Sequence, residues 1–489
     1  MTSSAVIGLA LSTSGLLLVL FKGPKPRMAS IGFIFLVMAF VYHAVGEVLQ
    51  AAFPADALYR NWVASTEESA WAALVGGAIL VYSLAYVVTM RSVKQRAAVP
   101  PIAEEGWPRW TTMTWLTLPI LVTALFAAEF SSAQVSYLAG GLVSQYLVPG
   151  ITMAAFLYLR QTRRPQVVLA MAAMMIALAS LGQRMTVVAG LLMVAWALSL
   201  AGRPLRFRQT GVLIALLVFT MVSISSARAA VGREALKGSM SERVSALQVG
   251  VRSLGENLQD GAVLGDFVYR IDGNVWPAYV MRRQPIDGVA PLTGLVDVVR
   301  SSIPSFVWKS KLQASVDKRD EEAFLDLHYG IPNPDLHPGS GLDWLPTVLG
   351  TAYAYGSAAG LLVFAAILGV GLAFADRRLH RRMTFTSVLI GLGLVWCAVG
   401  YEGDFQTIFL TMRGVAAVWV VVRVFRLVAG PSRGRSSLGG GGDRPWPGEE
   451  VGGRPREVDD AHERRSVDTV EGWSVHRHET ERARAAPKE

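Results

Sequence analysis

The chain has 489 residues, of which 52% are hydrophobic and only 17% are charged, and its mean hydropathy is +0.38. This composition is too apolar for a soluble globular protein and is typical of a chain that resides in a bilayer. The net charge of +9 does not indicate nucleic-acid binding, because Lys and Arg lie mainly beside apolar runs, where they orient a chain in the membrane. The single cysteine, Cys397, excludes an intramolecular disulfide.

Eleven apolar runs are long enough, or nearly so, to span a bilayer. The first extends from Val6 to Phe21 and has no basic residue before it. We therefore expect a permanent helix here and not a cleaved signal peptide. The runs cover 4–21, 28–53, 71–90, 111–129, 142–159, 166–182, 185–201, 210–226, 346–374, 383–400 and 405–424.

The connections between these runs indicate the orientation of the chain. If the connection from Lys22 to Arg27 is cytoplasmic and the sides alternate, the cytoplasmic connections hold 17 Lys or Arg. The short connections on the other side hold 2, Arg60 and Arg184. By the positive-inside rule, the sequence predicts an all-α polytopic membrane protein with about 11 transmembrane helices, its N-terminus outside and its C-terminus inside.

Two segments lie outside the spans. Residues 227–345, between the helices of 1–226 and those of 346–426, form a large extracytoplasmic loop in this topology. Ser239-x-x-Glu242 is a capping box that predicts a helix after it, and a second helix is expected from Ala314 to Tyr329, with Gly330 as its stop. The loop is therefore expected to be a small helical cap, whereas the Gly-, Pro-, Arg- and Glu-rich residues 427–489 are expected to be a disordered cytoplasmic tail.

Ionisable residues within the predicted spans gather toward the side of this loop. His43 and Glu47 lie roughly 22 and 28 Å along the second helix, and Arg413 lies about 12 Å into the last one. Arg184 occupies an outer turn, where a basic residue runs against the charge bias. This distribution predicts a polar site that faces the loop.

Two of these residues have alternative interpretations. A buried guanidinium needs an acidic or phosphate partner, so Arg413 either pairs with Glu47, Glu402 or Asp404 or binds a ligand directly. His43 is expected to be a hydrogen-bonded helix histidine rather than a catalyst. No phosphate loop, HExxH, paired CxxC or GxSxG motif occurs, and no metal or cofactor is expected.

The loop is rich in Arg and Lys, which suits an anionic lipid head group such as a lipid-linked diphosphate. Within it, the stretch Ser302-Ile-Pro-Ser-Phe-Val-Trp-Lys-Ser-Lys311 precedes the helix that begins Thr347-Val-Leu-Gly-Thr-Ala-Tyr-Ala-Tyr-Gly. Together these stretches resemble bacterial oligosaccharide repeat-unit polymerases, the Wzy-type O-antigen polymerases, which are related to O-antigen ligases. The matching positions are Pro304, Lys309, Lys311, Tyr353, Gly356 and Gly360.

The resemblance implies a glycosyltransferase that polymerises lipid diphosphate-linked oligosaccharide repeats into a surface polysaccharide, an exopolysaccharide or O-antigen of the cell envelope. The reaction would occur on the outer face of the bacterial cytoplasmic membrane, on a carrier such as undecaprenyl diphosphate, alongside other polysaccharide-assembly membrane proteins. The residues implied for proton transfer are Asp343, His337 and Glu402. Those implied for holding the departing diphosphate are Arg184, Arg233, Lys309, Lys311 and Arg413.

Other interpretations remain open from the sequence. An O-antigen ligase or another polyprenyl-phosphate-dependent glycosyltransferase would use the same chemistry, and the latter class has paired acids in its first outer loop, where Glu67 and Glu68 lie. A polysaccharide transporter or flippase is the alternative of another class. Asp343 has a second interpretation as a helix N-cap, and Gly356 with Gly360 has one as a close helix-packing site.

Overall fold

The computed structural model describes residues 2–23, 29–52, 65–91, 184–202, 207–231, 240–259, 271–303, 321–331, 346–381, 383–401 and 403–428, with single residues or short helical pieces at 113, 150–158 and 268. Every regular element in these ranges is a helix. The helices are α1 Ser3–Lys22, α2 Ile31–Ala52, α3 Ser65–Arg91, α4 Arg184–Leu200, α5 Phe207–Val231, α6 Met240–Arg252, α7 Leu254–Gln259, α8 Val275–Asp287, α9 Leu292–Ser302, α10 Glu321–Tyr329, α11 Val348–Arg381, α12 Phe385–Val399 and α13 Phe405–Val428.

Five of these helices, α1, α2, α3, α11 and α13, are long and apolar enough to cross a membrane. Of the most apolar part of α2, 61% is buried, against 22% for α13. The second helix is therefore central, while the others expose apolar side chains outward, as a helix in lipid does. The all-helical, membrane-compatible fold predicted from hydropathy is confirmed to this extent. The number of spans and their sidedness stay predictions.

Glycines bring α1 and α3 into close contact. A Cβ on Gly76 would lie 2.5 Å from the Gly8 carbonyl oxygen, so this position admits only hydrogen. The neighbouring Gly77 faces open space. Small residues allow helix backbones to approach closely, which is how helices associate where lipid removes the hydrophobic driving force.

A buried carboxylate at one end of the bundle fixes the relative direction of three helices. Asp376, near the end of α11, accepts hydrogen bonds from Ser30 Oγ at 2.9 Å, from the backbone N–H groups of Ile31 at 2.8 Å and Gly32 at 3.1 Å, and from the Tyr86 hydroxyl at 2.7 Å. It thereby satisfies N–H groups at the start of α2, which have no partner within the helix. Because α2 starts where α3 and α11 end, α2 is antiparallel to both.

At the opposite end of the bundle, α8, α9 and α10 form a layer that we call the cap. The side chain of Pro277 in α8 lies against Gly350 at the start of α11, where an added Cβ would be 2.6 Å away. Trp276 Nε1 donates to Asp326 Oδ1 at 3.0 Å and thereby joins α8 to α10. The predicted helical loop is thus helical in its described parts, and it packs against the bundle.

Several predicted element boundaries can be compared with the structure. α6 begins at Met240, directly after the predicted capping box, although Ser239 itself lies outside the described residues. α10 ends at Tyr329, and Gly330 has φ +62°, as expected of a helix stop. Residues 314–320, most of the predicted spans within 111–182 and the tail lie outside the described residues.

Three predictions at helix ends and helix contacts are wrong. α3 begins at Ser65, so Glu67 and Glu68 lie in its first turn and not in a loop, since acidic side chains stabilise a helix N-terminus. α11 continues to Arg381, beyond the predicted end at residue 374, because basic residues stabilise its last turn. Gly356 mediates no close helix contact, because a Cβ there would meet nothing within 4 Å.

Candidate functional site

The cap meets the ends of α2, α3, α11, α12 and α13 in a region that we call the junction. Here the ring of Trp71, near the start of α3, lies 5.3 Å from that of Tyr353 in α11. The N–H of Val348 donates to the Tyr401 carbonyl at 3.2 Å and so connects the start of α11 to the turn between α12 and α13. Polar side chains from five different elements are therefore buried together at this end of the bundle.

His43 is fully hydrogen-bonded at the junction. Its Nδ1 lies 2.8 Å from Asn274 Oδ1, and its Nε2 lies 2.8 Å from the Tyr401 hydroxyl. The side-chain amide of Asn274 also donates to the His43 carbonyl at 3.0 Å. Both ring nitrogens are occupied, so the predicted hydrogen-bonded histidine is confirmed, and its ring orients the segment before α8.

A π-helical turn, Val41–Val45, carries His43 within α2. The carbonyl of Tyr42 accepts a hydrogen bond from the Gly273 N–H at 3.0 Å, one residue before Asn274 binds the next carbonyl. A wider turn frees carbonyls from the helical ladder, and here residues 273 and 274 occupy them. The turn therefore allows the chain before the cap to dock on a membrane helix.

Asp272 lies beside this contact and is buried. Burial raises the pKa of its carboxyl to about 7, the negative charge of Glu47 raises it further, and a hydrogen bond from the Asn274 N–H opposes both. Asp272 therefore changes charge near neutral pH, at the base of the segment that enters the cap.

Glu321, the first residue of α10, connects the cap to α13. Its N–H donates to Gln406 Oε1 at 2.8 Å, and the Gln406 N–H donates to Glu321 Oε2 at 2.8 Å. The pair resembles a reciprocal helix cap, except that the two residues belong to different helices. It positions the start of α10 beside the start of α13.

The second carboxylate oxygen of Glu321 remains without a partner. Glu321 is only 3% exposed, and neither its Oε1 nor the nearby Tyr355 hydroxyl has a hydrogen-bond partner in the described part of the chain. The two groups interact electrostatically, although their geometry is not that of a hydrogen bond. Burial raises the pKa of Glu321 to about 8, and the charge of Asp404 raises it further. A carboxyl group of this kind can accept or release a proton at neutral pH.

Three arginines of the cap that the sequence groups with the basic loop are paired with carboxylates. Arg283 binds Asp287 at 2.7 Å within α8, and Arg300 lies 3.4 Å from Asp297 within α9. Arg282 lies 3.7 Å from Glu67 in the first turn of α3. These pairs neutralise part of the positive charge expected for the loop.

Two of the residues predicted from sequence fall in described helices. Arg184 is the first residue of α4. Trp196, near the end of the same helix, donates to the Ala29 carbonyl at 3.0 Å, at the Asp376 end of the bundle. The backbone of Arg184 therefore lies toward the junction end, about 18 Å along the helix from Trp196. Arg413 is partly buried in α13, and no ion pair joins it to Glu47 or Asp404.

The other predicted residues lie outside the described residues, so their grouping into one site stays a prediction. They are Asp343, His337, Glu402, Arg233, Lys309 and Lys311. One alternative for Asp343 is nevertheless excluded. Thr347 is the residue that caps α11, with its Oγ1 accepting from the Gly350 N–H at 3.1 Å, so Asp343 is not the N-cap of this helix.

Sequence reasoning missed Glu321, Asp272, Asn274, Tyr355 and Tyr401. Glu321 lies in the run Asp320-Glu321-Glu322, where nothing local distinguishes it from its neighbours. Asp272-Gly-Asn274, directly before an apolar helix, is the one local signal that indicates a side chain bonding its own backbone. Across the described ranges, no three His, Cys, Asp or Glu residues are grouped as metal ligands would be. Comparisons with protein-family models, with curated proteins and with solved structures find no match to this chain.

Proposed function

We propose that this protein polymerises lipid diphosphate-linked oligosaccharide repeats into a surface polysaccharide on the outer face of the bacterial cytoplasmic membrane. One observation carries the proposal. The segment that bears Lys309 and Lys311 leaves α9, which packs on α13, and returns at Glu321, which binds Gln406 of α13. The basic motif of the resemblance is therefore bounded on both sides by helices at the junction, beside an apolar bundle.

The proposed reaction transfers a glycan from a lipid diphosphate to a sugar hydroxyl. The hydroxyl gives its proton to a carboxylate or imidazole, its oxygen forms a bond to the anomeric carbon, and the bond from that carbon to the diphosphate breaks. The leaving diphosphate takes the electron pair, and guanidinium and ammonium groups stabilise the charge that develops on it. The proton acceptor is assigned to Asp343, with His337 and Glu402 as alternatives, and the buried carboxyl of Glu321 lies in the same region.

The cations for the diphosphate are assigned to two described helices and to the loop. Arg184 begins α4 toward the junction end, and Arg413 lies two turns into α13 without an acidic partner among Glu47 and Asp404. Arg233, Lys309 and Lys311 complete the set. In this scheme the chain crosses the membrane about eleven times, with its N-terminus and the cap outside.

Deletion of the gene and the single change Arg184→Ala test the proposal. Single repeats on an outward-facing lipid carrier are expected to accumulate in both strains, and long glycan chains are expected to disappear, while the Arg184→Ala protein still reaches the membrane at the wild-type level. Lys22→Ala is the matched control, because Lys22 is a basic residue at the opposite end of the bundle.

Two other outcomes would contradict the proposal and identify the alternatives. Long chains that remain on the lipid carrier after deletion indicate a ligase, because polymerisation then precedes the missing step. Single repeats that face the cytoplasm indicate a flippase. If long chains persist in the Arg184→Ala strain alone, the polymerase remains and the role of Arg184 is wrong.

A further inference from the structure

The turn between α8 and α9 presents an apolar surface away from the protein. Ile286 is 72% exposed and Leu292 is 64% exposed, and Val289, Val296 and Val299 are also exposed. We call these five residues the apolar tip. Contiguous exposed apolar side chains mark a contact surface, because isolated ones are common but grouped ones are not.

The apolar tip is held in a fixed position on the bundle. The N–H of Ala290, within the turn, donates to the Ala354 carbonyl of α11 at 3.0 Å and lies 3.1 Å from the Tyr329 hydroxyl. That hydroxyl donates to the same carbonyl at 2.8 Å. Gly288, with φ +78°, makes the turn that α8 needs to end before these bonds form. The exposure of the tip is therefore a property of a defined structure.

The contact at Ala354 places the tip where α11 begins to face outward. Residues 348–355 of α11 are buried, whereas Ala358 is exposed. Farther along, Val363 is 58% exposed and Ile367 is 65% exposed. Val363 lies about 13 Å along the helix from Ala354. The tip is therefore next to the edge of the apolar surface that a membrane-spanning α11 presents to lipid.

The charges around the tip do not favour a polyanionic partner. Arg283 and Arg300 are paired with Asp287 and Asp297 on the same helices, so the flanks are close to neutral. What remains at the turn is apolar area, which binds by leaving water and not by charge attraction.

We propose that the apolar tip inserts into the bilayer at the boundary between head groups and acyl chains and thereby anchors the cap beside the bundle. Interfacial helices bind membranes by burying such an apolar face to a depth of about 5–10 Å. The contact does not depend on the proposed reaction. It places the junction at the depth of lipid phosphates, where any enzyme or transporter that handles a lipid-linked substrate meets the head group.

Spin labelling tests this contact in the full-length protein. In a Cys397→Ala background, Leu292→Cys, Val363→Cys and Glu256→Cys are labelled with a nitroxide and reconstituted in phosphatidylcholine–phosphatidylglycerol vesicles. Val363 is the lipid-facing reference, and the exposed Glu256 of α7 is the water-facing one. At Leu292 we expect the ratio of oxygen to nickel-chelate accessibility to be close to that at Val363 and several-fold above that at Glu256.

Two results would overturn the proposal. A ratio at Leu292 equal to that at Glu256 would mean that the tip lies in water. Protection of Leu292 from both reagents would mean that protein, such as a second copy of the chain, covers the tip. Ile286→Cys provides a second position on the same surface, so a single misfolded variant does not decide the result.

Discussion

At the scale of single residues, Glu321 has two environments for its two carboxylate oxygens. Oε2 accepts a hydrogen bond from the Gln406 N–H, while Oε1 is buried without a partner in the described part of the chain. Leaving a buried charged oxygen without a hydrogen bond is costly, and protonation removes that cost. The contact between α10 and α13 is therefore expected to be strongest when Glu321 carries a proton.

The sign of the resulting pH dependence follows from the pKa, which rises from 4.5 to about 8 in the folded protein. A raised pKa means that the folded state binds the proton more tightly, so stability is greatest below 4.5 and is lost as pH rises through about 8. The apparent melting temperature of the purified protein should fall across this interval, with one proton contributing at most about 1.4 kcal/mol per pH unit.

Glu321→Gln is the control for this pH dependence, because the amide keeps the shape and cannot titrate. Its melting temperature should fall less steeply with pH than that of the wild type. The slope that remains in the variant is attributed in part to Asp272, whose pKa is also raised. Equal slopes in the two proteins would show that Glu321 does not titrate in this range.

At the scale of elements, backbone contact holds α1 and α3 together. The Gly76 position lies against the Gly8 carbonyl, and each helix supplies a surface without side chains at that point. Close backbone approach increases dispersion contacts over several turns, which supports helix pairs in lipid.

Gly76→Ala and Gly77→Ala form a matched pair on α3. The methyl group at 76 would lie 2.5 Å from the Gly8 carbonyl oxygen and must push the helices apart, at a cost of about 1–3 kcal/mol. The methyl group at 77 faces open space, so that variant should be unchanged or stabilised by up to about 1 kcal/mol. Thermal unfolding followed by size-exclusion chromatography measures both. Similar melting temperatures for the two variants would contradict the contact.

At the scale of the whole molecule, the bundle has two chemically different ends. One is fixed by Asp376 and lies near the basic last turn of α11, while the other carries the cap and the buried groups of the junction. The charge bias of the connections places the first end in the cytoplasm and the second outside.

Membrane-impermeant maleimide tests this sidedness in intact cells. In the Cys397→Ala background, Glu256→Cys on the cap side should react, while a cysteine in place of Arg378 should react only after the cells are opened. Arg378 is exposed in the last turn of α11, which makes it a suitable comparison. The reverse pattern of labelling would mean that the chain is inserted in the opposite orientation.

The sequence predicted local features well, since each depends on neighbours along the chain. Apolar runs located α1, α2, α12 and α13 closely, and Gly330 marked the end of α10. The pairing of Glu321 with Gln406 joins residues 85 positions apart, and no periodicity records such a contact. The π-turn in α2 was missed for the same reason, because its freed carbonyls are explained only by residues 273 and 274. Arg413 was expected to pair with an acid, but Glu47 and Asp404 do not supply one in the fold.

The carboxylate of Asp376 also affects the order of biosynthesis. Asp376 lies 344 residues after Gly32, so the ribosome completes α2 long before its partner exists. During that interval the N–H groups at the start of α2 need another acceptor, such as water at the membrane surface or an insertion factor. Chains that end before residue 376 lack this acceptor permanently. The bundle can therefore close only when the last third of the protein has been translated, and shortened products should be substrates for membrane proteases.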